Sequence, residues 1–260
     1  MQRVSQRWQP QISLCYNRAS PLRSEYGSLF AVTRILMASS KATRKMNIVM
    51  PDPEFLVDGP ASAPTTVVLA HGAGAGMDTP FMDAFALGLA ERNCRVVRFE
   101  FPYMAERRRT GKRRPPDRED ALRTTWLGVL DKTRAVRPFI GGKSMGGRIA
   151  SLVADEAHVA GLVCLGYPFH PSGQPEKHRT EHLKHIATPT LILQGERDPM
   201  GNRDEVSGHK LSSNVSLHWL RDGDHSFKPR ASSGRTQEEN WREAIRAMVT
   251  FIESVACRGA

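Results

Sequence analysis

From about residue 64 onward, short apolar runs alternate with longer amphipathic stretches. The short runs are rich in β-branched residues, as in Thr65 to Ala70 (TTVVLA), which is typical of buried strands. The longer stretches repeat their apolar residues at helical spacing. Strands that alternate with helices favour a mostly parallel central sheet with helices on both faces. The predicted strands span residues 65–70, 95–101, 139–141, 161–166, 189–194 and 215–220.

Two helix starts carry recognisable capping residues. Asp78 or Thr79 is placed to cap a helix directly after the first strand. Thr236 and Glu239 form a capping-box pattern ahead of a long apolar stripe, which predicts the closing helix. Between the second strand and the next helix, the run of arginines over 107–114 is expected to form a basic loop.

The positive charge of the chain is concentrated near its amino-terminal end. The 260 residues carry a net charge of +10, and residues 1–45 hold eight Lys or Arg and one acid, Glu25, which leaves +7 in that segment. The segment resembles an organellar transit peptide, or translation upstream of a true start at Met46 or Met50. We predict a dispensable leader over 1–45 and a single α/β domain over 46–260.

The sequence lacks the signals of several function classes. Four scattered cysteines without a C-x-x-C pair indicate neither a disulfide framework nor a zinc site, and favour a cytoplasmic location. No apolar run is long enough to predict a membrane span, and basic and aromatic residues are not interleaved as on a nucleic-acid surface. No metal-ligand cluster and no flavin or nicotinamide fingerprint occurs. We therefore expect no metal, no cofactor, no membrane and no nucleic-acid partner.

The stretch FIGGKSMGGR fits two different chemistries. Gly-Lys-Ser ends a phosphate-binding loop of the pattern G-x-x-x-x-G-K-[ST]. With Gly142 as the second glycine, the first should stand at position 137, which is Arg137. Pro138 and a strand follow at once, which leaves no room for a loop around phosphates. Nucleotide binding is therefore the weaker hypothesis.

The second interpretation is a nucleophile elbow, G-x-S-x-G, with Ser144 at its tip. In this strand–turn–helix the serine has strained backbone angles, and the flanking residues must be small because strand and helix approach closely. Gly142 and Gly146 meet that requirement. The pattern predicts that Ser144 is a nucleophile.

A serine nucleophile needs a histidine base and an acid that orients it, each after a strand end. Asp198 follows the predicted strand 189–194 and is the expected acid, with Glu196 as the weaker candidate. His225 follows the last strand and is the expected base. We expect the other histidines considered to be solvent-facing or packing residues: His178, His182, His185 and His218.

Acyl transfer also needs two backbone N–H groups for the developing oxyanion. The residue after the nucleophile, Met145, supplies one donor in this arrangement. The glycine-rich turn after the first strand is placed to supply the other, from Ala73 or, next, Gly74. The alternative is an ordinary glycine-rich turn.

With these parts in order, the chain resembles an α/β-hydrolase over about residues 64–256. The resemblance lies in HGAGAGMDTPFM, FEFPYM, GGKSMGGR, CLGYPFHP, LQGERDP and DGDHSFKP. These stretches are similar to a subgroup related to dienelactone hydrolases, which includes the hydrolase-like domains of the testis-expressed protein and NSL-complex-subunit type. The resemblance implies an α/β-hydrolase fold for 46–260 and matches Ser144, Asp198 and His225 to catalytic positions.

Aromatic residues after two strands are expected to line the crevice and contact substrate: Tyr103, Tyr167 and Phe169. Ordinary loop packing is the alternative for them. The predicted function is hydrolysis of a small-molecule ester-like substrate, of carboxylesterase, thioesterase or lactonase type, through an acyl-enzyme. The competing hypothesis is a catalytically silent domain that serves as a protein-interaction scaffold.

Overall fold

A seven-stranded sheet organises residues 54–259, the part of the chain that this computed structural model describes. Its strands are Phe55–Asp58 (β1), Thr65–Ala70 (β2), Cys94–Phe99 (β3), Phe139–Lys143 (β4), Gly161–Leu165 (β5), Thr190–Gly195 (β6) and Val215–Leu220 (β7). Across the sheet the order is β1-β3-β2-β4-β5-β6-β7. All neighbouring pairs are parallel except β1 with β3. The predicted leader over 1–45 lies outside the described residues.

The described part of the chain has six α-helices: Pro80–Ala90 (α1), Pro102–Thr110 (α2), Glu119–Thr133 (α3), Met145–Val153 (α4), Arg203–Ser207 (α5) and Gln237–Gly259 (α6). Helix α1 is capped by Thr79, whose hydroxyl oxygen accepts the N–H of Met82 at 3.3 Å. The capping box before α6 is formed, with Thr236 and Glu239 exchanging hydrogen bonds of 2.8 and 3.2 Å. Both capping predictions are confirmed.

The sheet is covered on both faces, as the alternating pattern predicted. Along β2, Val68 and Ala70 join the core formed with α3 and α4, whereas Val67 and Leu69 join the core formed with α1 and α6. Every residue of β5 is buried, because this strand lies inside the sheet and has helices on both sides. The α/β-hydrolase fold expected from the sequence is present. No helix within residues 54–259 has both the length and the apolar character to cross a bilayer.

One local expectation was wrong, and one strand was not predicted. The basic loop expected over 107–114 begins as helix, because α2 continues to Thr110 and ends at Gly111 in the left-handed conformation. Pro102 at the start of α2 and the good helix propensity of arginine favour this outcome. The edge strand β1 had no sequence prediction. Its four residues are half-exposed and show no clean alternation.

Candidate active site

The three predicted triad residues follow strands β4, β6 and β7 at one edge of the sheet. These strands are parallel, so their carboxyl ends lie on the same side, and only β5 separates β4 from β6. Ser144 follows β4, Asp198 follows β6 and His225 follows β7. Crevices in open α/β sheets form at this edge.

Ser144 occupies the strained turn that the G-x-S-x-G spacing predicted. Its φ of 51° and ψ of −114° lie outside the ordinary regions for a serine. A Cβ at Gly142 would lie 2.2 Å from the carbonyl oxygen of Ala70, and one at Gly146 would lie 2.5 Å from the same atom. Only glycine therefore allows β2, β4 and α4 to approach closely enough to hold the serine in this conformation.

Asp198 and His225 are joined by a hydrogen bond of 2.7 Å from the imidazole Nδ1 to the carboxylate Oδ2. Asp198 is fully buried. Its other oxygen accepts the N–H of Met200 at 2.9 Å, and Oδ2 also accepts from the amide of Gln194 at 2.9 Å. A buried carboxylate with all these donors stays oriented and fixes the tautomer of the histidine.

The weaker acid candidate, Glu196, points elsewhere. Its Oε1 pairs with Arg203 at 2.8 Å, and its Oε2 accepts the backbone N–H of Asp222 at 2.9 Å. The structure thus brings Asp198, and not Glu196, to the imidazole.

The loop that carries His225 is fastened to the start of α6. The buried Asn240 donates to the carbonyl of Phe227 at 2.8 Å, and the indole N–H of Trp241 donates to the carbonyl of Ser226 at 3.1 Å. Phe227 itself is buried and has a positive φ of 67°. Side chains on the closing helix therefore fix the backbone on the carboxyl side of the histidine.

The imidazole Nε2 of His225 makes no hydrogen bond among the described residues, and neither does the hydroxyl of Ser144. The two segments nevertheless meet, because the ammonium of Lys143 donates to the carbonyl of His225 at 2.5 Å. A Cβ at Gly166 would lie 3.3 Å from Nδ1 of His225 and 3.0 Å from Nζ of Lys143. Catalytic hydrogen bonds are often unformed before substrate binds.

His71 and Tyr103 form hydrogen bonds to the glycine-rich turn that is expected to contribute to the oxyanion hole. His71 is fully buried; its Nε2 accepts the N–H of Phe101 at 3.1 Å, and its Nδ1 donates to the carbonyl of Gly72 at 2.7 Å. Burial lowers the pKa of His71, so the ring stays neutral in this arrangement. The Tyr103 hydroxyl donates to the carbonyl of Ala73 at 2.9 Å.

The expected donors have no competing partners in the described part of the chain. Met145 is the first residue of α4, where a backbone N–H has no intrahelical acceptor. Ala73 and Gly74 are exposed, and neither donates a backbone hydrogen bond there. A Cβ at Gly72 would lie 3.8 Å from Cβ of Ser144, so this turn passes directly beside the nucleophile.

The three aromatic residues expected to contact substrate are buried. Tyr103, Tyr167 and Phe169 are at most 1% exposed. The hydroxyl of Tyr167 donates to the carbonyl of Arg179 at 2.8 Å, and its ring packs edge-on against Phe169 with a centroid separation of 5.1 Å. These contacts favour the packing alternative, in which the aromatics shape the loops of the site.

Two polar residues next to the site were missed by sequence reasoning. Gln194 is fully buried at the end of β6, and its amide nitrogen contacts the carboxylate of Asp198 and the carbonyls of Tyr167 and Gly201. His71 holds the glycine-rich turn. A polar residue close to the end of a buried strand, or directly after it, was the available signal in both cases.

Part of the positive charge of the arginine-rich segment is paired with carboxylates. Arg108 pairs with Glu100 and Asp78 at 2.7 and 2.8 Å, and Arg109 pairs with Glu106 at 2.8 Å. A cavity of about 300 Å³ lies between this segment and the glycine-rich turn.

A second serine–histidine contact lies away from the strand ends. Nε2 of His182 is 2.8 Å from Oγ of the buried Ser151. The Ser151 hydroxyl donates its proton to the carbonyl of Arg148 at 2.6 Å, so it accepts from His182. Burial and the neighbouring Arg148 lower the pKa of His182 to about 4.

Residues 63–253 match the sequence profile of an alpha/beta hydrolase domain family. An alpha-beta serine hydrolase homologue from Coxiella burnetii is 22% identical with a TM-score of 0.56, covering 75% of this chain and 91% of that one. A serine hydrolase without a lid from Xanthomonas campestris is 20% identical with a TM-score of 0.57, covering 76% and 88%. Est1E from Butyrivibrio proteoclasticus is 15% identical with a TM-score of 0.58, covering 76% and 94%. At these identities the likeness concerns the fold.

Proposed function

The chain belongs to the alpha/beta hydrolase family, and from that premise we propose that it is a serine hydrolase that cleaves small ester-like substrates through an acyl-enzyme. The single observation that carries the proposal is the hydrogen bond of 2.7 Å between His225 and the buried Asp198, at the edge of the sheet where Ser144 occupies a strained elbow. In this account Ser144, His225 and Asp198 form the catalytic triad.

The proposed reaction uses each group once in each half-cycle. Nε2 of His225 takes the proton of the Ser144 hydroxyl as its oxygen bonds to the carbonyl carbon of the substrate. The imidazolium then protonates the leaving group as its bond to that carbon breaks. Water repeats the sequence and frees the serine. Asp198 holds the imidazole and offsets its positive charge.

We assign the oxyanion hole to the backbone N–H groups of Met145 and Ala73, with Gly74 as the alternative second donor. Both segments border the serine, and their N–H groups have no competing acceptor in the described part of the chain. One such donor contributes about 3 kcal/mol to stabilisation of the transition state.

The subgroup and the location that we propose go beyond the family assignment and rest on the sequence. The quoted motifs favour the subgroup related to dienelactone hydrolases, and the scattered cysteines favour the cytoplasm. In this proposal Tyr103, Tyr167 and Phe169 form part of the boundary of the site. Carboxylesters, thioesters and lactones are its candidate substrates, since all three present a carbonyl with a leaving group.

One observation favours a second candidate, a catalytically silent scaffold. The Ser144 hydroxyl makes no hydrogen bond among the described residues, so the proton path to His225 is not closed in this conformation. The two candidates differ in whether Ser144 is acylated.

Turnover of p-nitrophenyl esters of graded chain length tests the proposal. Wild type is expected to release p-nitrophenol with an initial burst equal to the enzyme concentration, or in steady state above background. Ser144→Ala should give background only, whereas Ser151→Ala is the matched control and should retain activity. Equal rates for wild type and Ser144→Ala would overturn the proposal and leave the scaffold candidate.

A further inference from the structure

Lys143 is a charged residue that the proposed reaction does not use. It is the last residue of β4 and immediately precedes Ser144 in the elbow. The x position of G-x-S-x-G places no chemical demand on its side chain. A lysine here is unexpected because its ammonium group is drawn into the interior, where the charged form is costly.

The side chain of Lys143 crosses the site from the nucleophile to the base. Its Nζ donates to the carbonyl oxygen of His225 at 2.5 Å. Its stem passes the oxyanion turn, since a Cβ at Gly72 would lie 3.4 Å from its Cγ. Its ammonium also lies 5.4 Å from the ring centroid of Phe81 on α1, within the range of a cation–π contact.

The neighbouring backbone leaves room for this contact at Gly166, after β5. Gly166 has a φ of +66°, and a Cβ there would lie 2.9 Å from the carbonyl oxygen of His225 and 3.0 Å from Nζ of Lys143. A larger residue would push the ammonium and the carbonyl apart. The lysine–carbonyl bond therefore depends on a glycine at a third strand end.

We propose that Lys143 is a positioning residue: its ammonium holds the His225 loop against the nucleophile elbow and so sets the approach of the imidazole to Ser144. The inference rests on the proposed function and adds a part to the same site. Lys143 touches no substrate in this account. It acts through the backbone of His225, whose side chain is already oriented by Asp198.

The ionisation of Lys143 supports this role. Burial lowers its pKa to about 8, and the neighbouring carboxylates of Asp198 and Asp224 counter part of that effect. The charged and titratable groups that face the ammonium are thus these two carboxylates and His225, whereas Phe81 brings no titratable group. Below pH 8 the ammonium donates a charge-assisted bond to the carbonyl, and above it the bond weakens.

The first test compares Lys143→Met with Lys210→Met, a matched change at an exposed lysine before β7 that makes no hydrogen bond to the proposed triad. Lys143→Met keeps the length of the stem and removes the donor. We expect kcat toward p-nitrophenyl acetate to fall on the order of 100-fold, with KM changed less than about threefold, because the base is misplaced and substrate contacts are kept. Lys210→Met should match wild type.

Stability separates positioning from a general packing role. Replacing a buried ammonium with an apolar side chain of similar volume removes a desolvation cost, so the melting temperature of Lys143→Met at pH 7 should equal or exceed that of wild type. Lower activity together with undiminished stability supports the proposal. If Lys143→Met keeps kcat within about twofold of wild type, the proposal is wrong.

The pH profile of wild type gives a test without any substitution. Activity should decline above about pH 8 as Lys143 loses its proton, and Lys143→Met should lack that decline. The pKa of Lys143 is lower in the folded than in the unfolded chain, so between pH 8 and 10.5 its contribution to the unfolding free energy rises with pH. Above pH 8 the activity is therefore expected to fall while the contribution of Lys143 to the unfolding free energy rises. A shared alkaline decline in both proteins would overturn the proposal.

Nuclear magnetic resonance of ¹⁵N-labelled histidine separates failure of this inference from failure of the proposed function. The Nδ1 proton of His225, bonded to Asp198, should give a low-field signal in wild type that is shifted or broadened in Lys143→Met. If wild type hydrolyses no ester but this signal changes, the positioning role stands and the hydrolase proposal fails. If the signal is identical in both proteins, the positioning role fails whatever the activity.

Discussion

Two serine–histidine pairs in this protein have opposite chemical character. At the strand ends, Nδ1 of His225 donates a hydrogen bond to Asp198, and Nε2 has no partner among the described residues. On the side of α4, His182 uses its Nε2 to contact Ser151, whose own proton goes to the carbonyl of Arg148. Only the first imidazole is hydrogen-bonded to a carboxylate that stabilises its protonated form, whereas Nε2 of the second already donates to a serine.

A short distance between a serine hydroxyl and an imidazole does not by itself make the serine a nucleophile. Ser151 and His182 are 2.8 Å apart, yet the hydroxyl accepts rather than donates, and the serine is buried within a helix. Within residues 54–259 the Ser144 hydroxyl makes no such bond, and the two N–H groups that border it have no acceptor. Ser144 occupies a strained elbow and lies beside the lysine that contacts His225. The proposed chemistry depends on the direction of the hydrogen bond between serine and histidine and on the exposure of the serine hydroxyl.

The largest expected difference comes from removing each histidine in turn. His225→Gln should lower kcat by about 10⁶-fold, because it removes the only proposed base. His182→Gln retains a hydrogen-bond donor toward Ser151 and should keep kcat within about threefold. Ester turnover measured on both variants checks this. A large loss in His182→Gln alone would reverse the assignment of the two pairs.

The acid should show the next largest effect. Asp198→Asn keeps the shape of the side chain but offers the imidazole a neutral amide that favours the wrong tautomer, so kcat should fall by about 10⁴-fold. Glu196→Gln, in the same loop, is the control and should change kcat little, since its carboxylate contacts Arg203 and the N–H of Asp222. Equal losses in the two variants would contradict the geometric choice between them.

A smaller effect distinguishes two buried tyrosines. The hydroxyl of Tyr103 donates to the carbonyl of Ala73, whereas that of Tyr167 donates to the carbonyl of Arg179. Removing either hydroxyl with phenylalanine should lower the unfolding free energy by about 1 kcal/mol. Only Tyr103→Phe should also lower kcat, by about tenfold, because it frees the proposed oxyanion turn. Urea unfolding and ester turnover on both variants test this, and equal kcat values would count against that turn.

The last expected effect concerns stability in acid and leaves catalysis unchanged. The pKa of His182 is about 4 in the folded protein and 6.5 in an unfolded chain, so its contribution to the unfolding free energy is present above pH 6.5 and is lost as the pH falls toward 4. Over that range wild type should lose at most about 2 kcal/mol of unfolding free energy through this residue, because the ring is partly exposed and solvent screens part of the effect. His182→Gln should lack that loss, and His185→Gln, at an exposed position in the same turn, should keep it. Urea unfolding at pH 7 and pH 4.5 measures the difference.

Local rules made the elbow and the capped helices predictable. The close approach of strands and helix at Gly142 and Gly146 requires small residues two positions before and after Ser144, so the G-x-S-x-G spacing indicates it. The pairing of Asp198 with His225 could be anticipated only because parallel strands bring their carboxyl ends to one edge. The actual hydrogen bond, and the turning away of Glu196, depended on packing around each loop.

Features that depend on long-range contacts were not predictable in this way. Lys143 reaches a carbonyl 82 positions later in the chain, and no local pattern encodes that contact. The burial of Tyr167 and Phe169 depends on neighbouring loops that cover them. The arginine run from 107 was interpreted as a loop because its charge was obvious, whereas its helix propensity decided the structure of its first half.

Peptide mapping after treatment with a fluorophosphonate tests the central claim most directly, because the reagent bonds covalently to an activated serine. The account predicts one adduct per molecule on the peptide that contains Ser144, no adduct in Ser144→Ala, and a strongly reduced rate in His225→Gln. An unlabelled wild type, or an adduct on Ser151, would contradict it.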